Sequence, residues 1–225
     1  MIKEVVLDTE TTGLSIEKDR IVEIACIELD NHLPSKNLFH TFLNPEGVRV
    51  SKDAFEIHGY SNEFLSDKPK FKDIVKNFLQ FIQDKKIIIH NADFDINFLN
   101  KELRNLNLEP INKQNVVDSL VLAREKFPGA TAKNLTSLCK KFKIDTSARE
   151  KHSALLDCKL LSKVYVELID DKEFKFLYSD FNENINQNIK TNKSPGIVVQ
   201  PSLDDIENYK KFLKKNLVNA FSLKD

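Results

Sequence analysis

Two acidic side chains at the end of the first apolar run could bind a cation. Asp8 and Glu10 follow the run Val5-Val6-Leu7, and a single residue separates them. Because side chains alternate across a strand, both carboxylates are expected to face the same side of it. Two carboxylates held close together repel each other unless a cation lies between them. The alternative interpretation is a solvated strand end that leads into a turn at Gly13.

Two further aspartates occupy helix positions that are expected to face the core. Asp95 precedes Phe98 and Leu99 by three and four residues and so shares their apolar stripe. Asp157 repeats this arrangement ahead of its own leucines. Helix capping explains either aspartate alone, because a carboxylate near a helix start is stabilised by the dipole. Four inward carboxylates together are costly without a bound metal, and all-oxygen ligands suit Mg²⁺ or Mn²⁺ rather than zinc.

A histidine close to the last aspartate could act as a general base. His152 precedes Asp157 by five residues, a spacing that would put them on different faces of one helix. We therefore expect His152 on the loop before that helix, where an ordinary pKa near 6.5 would suit proton transfer at neutral pH. A surface histidine is the alternative. His90 is predicted to be structural, its ring holding the turn at Asn91.

The apolar pattern predicts strands that alternate with helices. Strands are expected near 5–7, 21–29, 38–43, 85–90 and 116–117, and helices near 71–83, 94–106, 119–126, 135–142 and 153–170. The alternation from residue 85 onward indicates an α/β sandwich on a mixed sheet.

The last quarter of the chain has a different composition. An Asn-rich stretch ends at Ser194-Pro195-Gly196 and has too little apolar content to order itself, so 173–196 is interpreted as a flexible linker. Residues 197–225 regain helical periodicity but form no core of their own. The predicted organisation is a domain at 1–172, the linker, and a C-terminal segment that packs on another protein.

Composition excludes several classes of protein. Lys+Arg and Asp+Glu both number 34, so the formal charge is zero, which argues against coating duplex DNA through a broad basic face. Three widely spaced cysteines, with no Cys-x-x-Cys pair, indicate a reduced cytoplasmic protein without structural zinc. No apolar stretch is long enough for a transmembrane helix, and no signal peptide is recognisable.

Three segments resemble the motifs of the DEDDh exonucleases. These are Val5-Val6-Leu7-Asp8-Thr9-Glu10-Thr11-Thr12-Gly13-Leu14, His90-Asn91-Ala92-Asp93-Phe94-Asp95 and His152-Ser153-Ala154-Leu155-Leu156-Asp157. Within that superfamily the sequence most resembles the proofreading (epsilon) subunits of bacterial DNA polymerase III, from residue 4 to about 170. Further support comes from Asp53-Ala54-Phe55-Glu56-Ile57-His58-Gly59, Phe64-Leu65-Ser66-Asp67-Lys68-Pro69 and Asp118-Ser119-Leu120-Val121-Leu122-Ala123-Arg124.

The resemblance implies a fold and a set of site residues. The fold would be a ribonuclease H-like mixed sheet flanked by helices, with a flexible C-terminal tail. Two Mg²⁺ or Mn²⁺ ions would be bound by four residues and His152 would be the catalytic base; the metal ligands are Asp8, Glu10, Asp95 and Asp157. The terminal nucleotide would be bound by Asp8, Glu10, Thr11, Asp53, His58 and Asp157. Asp93 and Asp53 depart from the usual pattern, and Asp93, about 200° around the helix from Asp95, is not expected to be a ligand.

The resemblance also implies an activity and partners. The activity would be 3′→5′ hydrolysis at a single-stranded or frayed 3′ DNA end, and the polymerase III catalytic (alpha) subunit would bind segment 197–225. A theta-like subunit and the sliding clamp are further expected partners, although 171–193 contains no convincing Gln-led clamp peptide. The alternatives are a free-standing exoribonuclease that trims RNA 3′ ends and a catalytically inactive interaction domain. The complete set of acidic residues and His152 argues against the second.

Overall fold

The computed structural model describes residues 3–129, 133–147 and 149–169. A five-stranded sheet in the order β3-β2-β1-β4-β5 forms its centre. The strands are β1 (Lys3–Thr11), β2 (Ile21–Asp30), β3 (Leu33–Phe42), β4 (Lys86–Ile89) and β5 (Val116–Asp118). β2 is antiparallel to both β1 and β3, whereas β4 is parallel to β1 and to β5, which makes the sheet mixed.

Seven α-helices are found in the described part of the chain. They are α1 (Lys52–His58), α2 (Asn62–Ser66), α3 (Phe71–Ile82), α4 (Ala92–Asn105), α5 (Ser119–Lys126), α6 (Leu135–Lys141) and α7 (Ala154–Ile169). The sequence pattern predicted α3 to α7 to within about two residues at each described end. It did not predict α1 and α2, which are too short to show a helical repeat, and it began β3 five residues too late.

The sheet is covered on both faces because its central strand alternates between two apolar cores. Val5 and Leu7 pack with α3 and α4, while Val6 packs with α5, α6 and α7 on the other face. The buried thiol of Cys158 in α7 donates to the carbonyl oxygen of Ala25 at 3.3 Å, so α7 lies directly on β2. This arrangement confirms the α/β class and the mixed sheet with flanking helices.

Two sequence predictions concern a membrane-spanning helix and the C-terminal part of the chain. No helix among the described residues is both long and apolar enough to cross a membrane. The predicted linker 173–196 and C-terminal segment 197–225 lie outside the described residues, and so do the boundary at 172 and the expected flexible tail.

Candidate active site

The two carboxylates of β1 lie at the strand's carboxyl end and face α7. Asp8 and Glu10 continue the alternation of Val6, and both are half-buried. Burial raises the pKa of Asp8 well above its ordinary value, and the nearby carboxylates of Asp95, Glu10 and Asp157 raise it further. Burial, followed by repulsion from Glu23 and Asp157, raises the pKa of Glu10 to about 8. Burial and neighbouring negative charges therefore favour the protonated forms of both carboxylates.

Asp95 is brought to the same strand end by the tight turn that opens α4. Asn91 adopts a left-handed conformation with φ of 68°, and its backbone N–H donates to Asp118 Oδ1 at 3.0 Å. The second oxygen of Asp118 accepts from the N–H of Ala92 at 3.1 Å, so one carboxylate fixes the helix start. Asp95 in turn accepts from the Thr9 N–H at 3.0 Å and the Thr9 hydroxyl at 2.6 Å. Burial nonetheless raises the pKa of Asp95 to about 7.

Asp157 in α7 differs from the other carboxylates because a cation already faces it. Arg149 donates from Nε to Asp157 Oδ1 and from a terminal nitrogen to Oδ2, both at 2.7 Å. Burial alone would raise the pKa of Asp157, but the neighbouring side chains of His152 and Arg149 outweigh burial and hold that pKa below its ordinary value. Nothing in the spacing of the sequence marked Arg149 as part of the site.

His152 lies on the loop before α7, as the sequence predicted. Its side chain is 49% exposed, and its Nδ1 lies 3.4 Å from Asp157 Oδ2. Arg149 also donates to His152 Nδ1 at 3.0 Å. Since a guanidinium has only donors, Nδ1 is the unprotonated ring nitrogen in this conformation.

Two of the four carboxylates and His152 line an open cavity of about 640 Å³. Asp8, Asp157, His152 and Arg149 all line it. Ligand atoms of Glu10, His152 and Asp157 lie within 4.8 Å of one another, close enough for a shared cation. Clustered carboxylate oxygens with raised pKa values suit a hard divalent cation, so these residues fit Mg²⁺ or Mn²⁺. A larger, mainly apolar depression of about 900 Å³ lies between α3 and the loop before β5, and it contains none of the four acidic residues.

The three other predicted nucleotide contacts, Thr11, Asp53 and His58, do not line this cavity and differ in their burial. The buried Thr11 hydroxyl donates to the carbonyl oxygen of Gly13 at 2.6 Å, which holds the turn after β1. His58 is buried, and its Nε2 donates to the Thr11 carbonyl oxygen at 3.2 Å while its Nδ1 accepts from Tyr60 N–H. Asp53 is exposed in the first turn of α1. His58 therefore supports the Thr11 backbone and has no free ring nitrogen.

Two other sequence expectations can be compared with the structure. His90 does not hold the turn at Asn91: its Nδ1 pairs with the Ser119 hydroxyl at 2.8 Å, and Asp118 holds the turn instead. Two backbone N–H groups of the turn need acceptors. A carboxylate offers two acceptor oxygens, whereas a neutral imidazole offers one acceptor nitrogen. Asp93 points away from the site, as expected, and pairs with Lys113 at 3.0 Å.

A fifth acidic residue, Glu23 in β2, is fully buried beside the cluster and was missed from the sequence. It stands opposite Glu10 in the β1–β2 register. Burial alone would raise its pKa, but hydrogen bonds from His40, Tyr60 and the Ala154 N–H outweigh it and lower the pKa. A charged residue with apolar neighbours on both sides, as in Ile21-Val22-Glu23-Ile24-Ala25, could have indicated a buried, hydrogen-bonded carboxylate.

Comparison with known proteins gives consistent results at the levels of family and fold. The exonuclease family model RNase_T matches residues 5–165. The chain is 43% identical over 230 residues to the DNA polymerase III subunit epsilon of Rickettsia conorii, covering 98% of this chain and 99% of the relative. It is 42% identical over 175 residues to the subunit of the same name from Salmonella typhimurium, covering 74% of this chain and 71% of the relative.

Solved structures show the same fold at low sequence identity. The nuclease domain of 3′hExo, described as a DEDDh family member bound to rAMP, has a TM-score of 0.66 at 18% identity, covering 76% of this chain and 92% of that one. Exonuclease X in complex with 5′-overhanging duplex DNA has a TM-score of 0.59 at 23% identity, covering 77% and 93%. On the strength of the family model and the nearly full-length relatives, this chain belongs to the exonuclease family and, within it, to the DNA polymerase III epsilon subunits.

Proposed function

We propose that this chain removes nucleotides from DNA 3′ ends as the proofreading subunit of a DNA polymerase III. One observation carries the proposal: three carboxylates with raised pKa values, a fourth carboxylate and one exposed histidine form a cluster, of which Asp8, Asp157 and His152 line an open cavity. An exonuclease needs these groups together, whereas a fold kept only for protein contacts would not maintain so costly a charge cluster.

The proposed metal ligands are the four acidic residues of this cluster, namely Asp8, Glu10, Asp95 and Asp157. Two divalent ions are proposed, Mg²⁺ or Mn²⁺. When bound, such ions supply Lewis-acid activation of water and neutralise charge at the scissile phosphate. The residues themselves are pre-oriented, since β1 fixes two of them and helix starts fix the other two.

His152 is proposed as the general base that takes a proton from the attacking water. Its exposure of 49% allows water to reach the ring, and its Nδ1 is the unprotonated nitrogen. Arg149 has to leave Nδ1 before that nitrogen can accept a proton. The released guanidinium would remain near the carboxylates, where a planar donor group suits a phosphate.

Binding of the terminal nucleotide is proposed for Asp8, Glu10, Thr11, Asp53, His58 and Asp157. Thr11 would act through its backbone, and His58 through the support it gives to that backbone. A single strand has to enter the cavity, so a frayed or mismatched end, which costs least to unstack, should be cleaved fastest. This preference would convert an exonuclease into a proofreader.

RNA trimming is the second candidate activity. Its support is a group of structural neighbours that includes a nuclease domain bound to rAMP, but at 18% identity this similarity extends to the fold alone. The relatives above 40% identity are named as polymerase III subunits, which favours DNA.

The proposed partners follow from the same relatives and from the composition of the tail. Segment 197–225 is proposed to bind the polymerase III alpha subunit, with 173–196 as a flexible tether. A theta-like subunit and the sliding clamp are further proposed partners, and the cytoplasm is the proposed location.

The test is a comparison of matched DNA and RNA oligonucleotides with paired and mismatched 3′ ends. We expect release of nucleoside 5′-monophosphates from DNA, faster at mismatched ends, and no hydrolysis in excess EDTA. A preference for RNA would favour the trimming enzyme, and activity that survives EDTA would exclude the metal-dependent mechanism.

A further inference from the structure

The buried carboxylate of Glu23 accepts four hydrogen bonds from three separate parts of the chain. Oε1 accepts from His40 Nε2 of β3 at 2.8 Å and from the Ser153 hydroxyl at 3.1 Å. Oε2 accepts from the Tyr60 hydroxyl at 2.7 Å and from the backbone N–H of Ala154 at 2.9 Å. All four partners are donors, so only an ionised carboxylate satisfies them together.

Two of these bonds hold the start of α7, the helix that supports both His152 and Asp157. Ser153 is the residue before the helix, because its carbonyl oxygen accepts the Asp157 N–H at 2.8 Å. Its hydroxyl donates to Glu23 instead of capping the helix itself, and Glu23 supplies the missing acceptor to Ala154. The helix start is therefore capped by a side chain of β2, the strand on which α7 packs.

The loop that carries His152 has a second attachment, which fixes its position relative to the cavity. The backbone N–H of His152 donates to the carbonyl oxygen of Ile57 in α1 at 3.1 Å. Tyr60, two residues beyond the end of α1, returns to Glu23 through its hydroxyl. The position of His152 is thus fixed in two ways. Its own backbone is bonded to Ile57, and the next two residues, Ser153 and Ala154, are bonded to Glu23. Tyr60 links these two attachments because it is close to Ile57 in the chain and donates to Glu23.

From this geometry we propose that Glu23 is a positioning residue for the exonuclease reaction: with Tyr60 and Ser153 it sets the place of His152 over the carboxylates of β1. The proposal rests on the general-base role given to His152 under Proposed function. It assigns to Glu23 no contact with substrate. A purely structural helix cap would stabilise the fold without affecting the step that His152 performs.

The chain contains a matched control for the loss of one such bond. The Tyr165 hydroxyl donates at 2.8 Å to Glu4, another buried carboxylate, at the opposite end of β1. Tyr60→Phe and Tyr165→Phe each remove one hydroxyl and leave one buried carboxylate with one donor fewer. We expect similar decreases in Tm, but a kcat about tenfold lower for Tyr60→Phe alone, since small displacements of a catalytic group cost up to about 100-fold.

A double-mutant cycle separates positioning of His152 from general destabilisation. In the His152→Gln background there is no base left to misplace, so Tyr60→Phe should change kcat by less than about twofold. KM for a single-stranded oligonucleotide should stay the same in both backgrounds at saturating Mn²⁺. Glu23→Gln, which offers one acceptor oxygen and two unwanted donors, should lower kcat further, and its Tm shows whether it folds.

The outcomes are distinguishable from one another. Equal kcat in Tyr60→Phe and Tyr165→Phe, or an equal effect of Tyr60→Phe in both backgrounds, would reduce Glu23 to a helix cap and overturn the proposal. A His152→Gln variant with undiminished kcat would instead refute the general base of the proposed function, and the positioning role with it.

Discussion

Replacing Arg149 should destabilise the protein without metal much more than the protein with metal. The Arg149 and Asp157 side chains are only 9% and 6% exposed, and two hydrogen bonds of 2.7 Å join them. Arg149 also donates to the Thr136 hydroxyl at 2.6 Å, which holds the guanidinium in this orientation. Arg149→Gln therefore leaves a buried carboxylate beside three others with no positive charge in contact.

The size of the effect follows from the burial of the pair. Removing one partner of a buried ion pair costs about 3–5 kcal/mol. For a protein of this size each kcal/mol lowers Tm by about 2–4 °C, so the expected decrease in EDTA is roughly 6–20 °C. A divalent cation at the same carboxylates supplies the lost compensation, so the decrease should become small in Mn²⁺. Apparent Mn²⁺ affinity should rise at least about tenfold, equivalent to about 1.4 kcal/mol, because Arg149 no longer competes for Asp157.

Arg20 provides the control. It makes the same two-bond pair, with Glu102 at 2.6 and 2.8 Å, and its partner is only 3% exposed, but neither residue lines the carboxylate cavity. Arg20→Gln should lower Tm equally in EDTA and in Mn²⁺. Thermal denaturation under both conditions and a Mn²⁺ titration decide the matter. If Arg149→Gln behaves like Arg20→Gln, Arg149 does not occupy the place of a cation and the reasoning is refuted.

Three further predictions concern the carboxylates, the base and the tail. The pKa of Glu10 is raised from 4.5 to about 8, and that of Asp95 from 3.8 to about 7. Between the ordinary and the raised values the folded protein binds more protons than the unfolded chain does. Its Tm in EDTA should therefore fall as the pH rises from about 4 to 8. Asp8→Ala should abolish hydrolysis, reduce that slope and leave Tm equal or higher; a lower Tm would contradict the repulsion argument. His152→Gln should lower kcat by about 10²–10⁴ with Mn²⁺ affinity unchanged, whereas weakened Mn²⁺ binding would make His152 a ligand. Truncation after Asp180 should preserve activity on oligonucleotides and Tm but abolish binding to the polymerase alpha subunit, and a Tm several degrees lower would show that the tail packs on the nuclease domain.

The fold was predictable where one strong pattern fixed each element. Apolar residues spaced three and four apart predict a helix at α3, and the Ile-rich run predicts a strand at β4. Both elements were found close to the expected residues. α1 and α2 contain seven and five residues, fewer than two turns, and their caps at Ser51 and Ser61 carry more of the signal than any apolar stripe. Helices this short cannot be recognised from the periodicity of apolar residues.

The acidic residues of the site were predictable because each occupies a position where a charge is locally expensive. Asp95 and Asp157 interrupt apolar helix faces, and Asp8 follows the buried run Val5-Val6-Leu7 within β1, so each differs from its neighbours. Arg149 lies in an irregular, polar stretch, where an arginine is unremarkable. Its pairing with Asp157 depends on how the loop before α7 folds back, and no local periodicity encodes that path.

The five carboxylates of the site divide into two groups according to what neutralises them. Asp157 and Glu23 have lowered pKa values because arginine, histidine, tyrosine and backbone donors face them. Asp8, Glu10 and Asp95 have raised pKa values because burial dominates and neighbouring carboxylates add to it, even where Thr9 donates two hydrogen bonds to Asp95. The protein's own side chains and backbone donors therefore compensate the negative charges of Asp157 on α7 and Glu23 on β2. They compensate the carboxylates of β1 much less. If the proposed metal ligands are right, the need for a divalent cation is greatest where β1 meets α4, and Asp157 would bind that cation only after its ion pair with Arg149 opens.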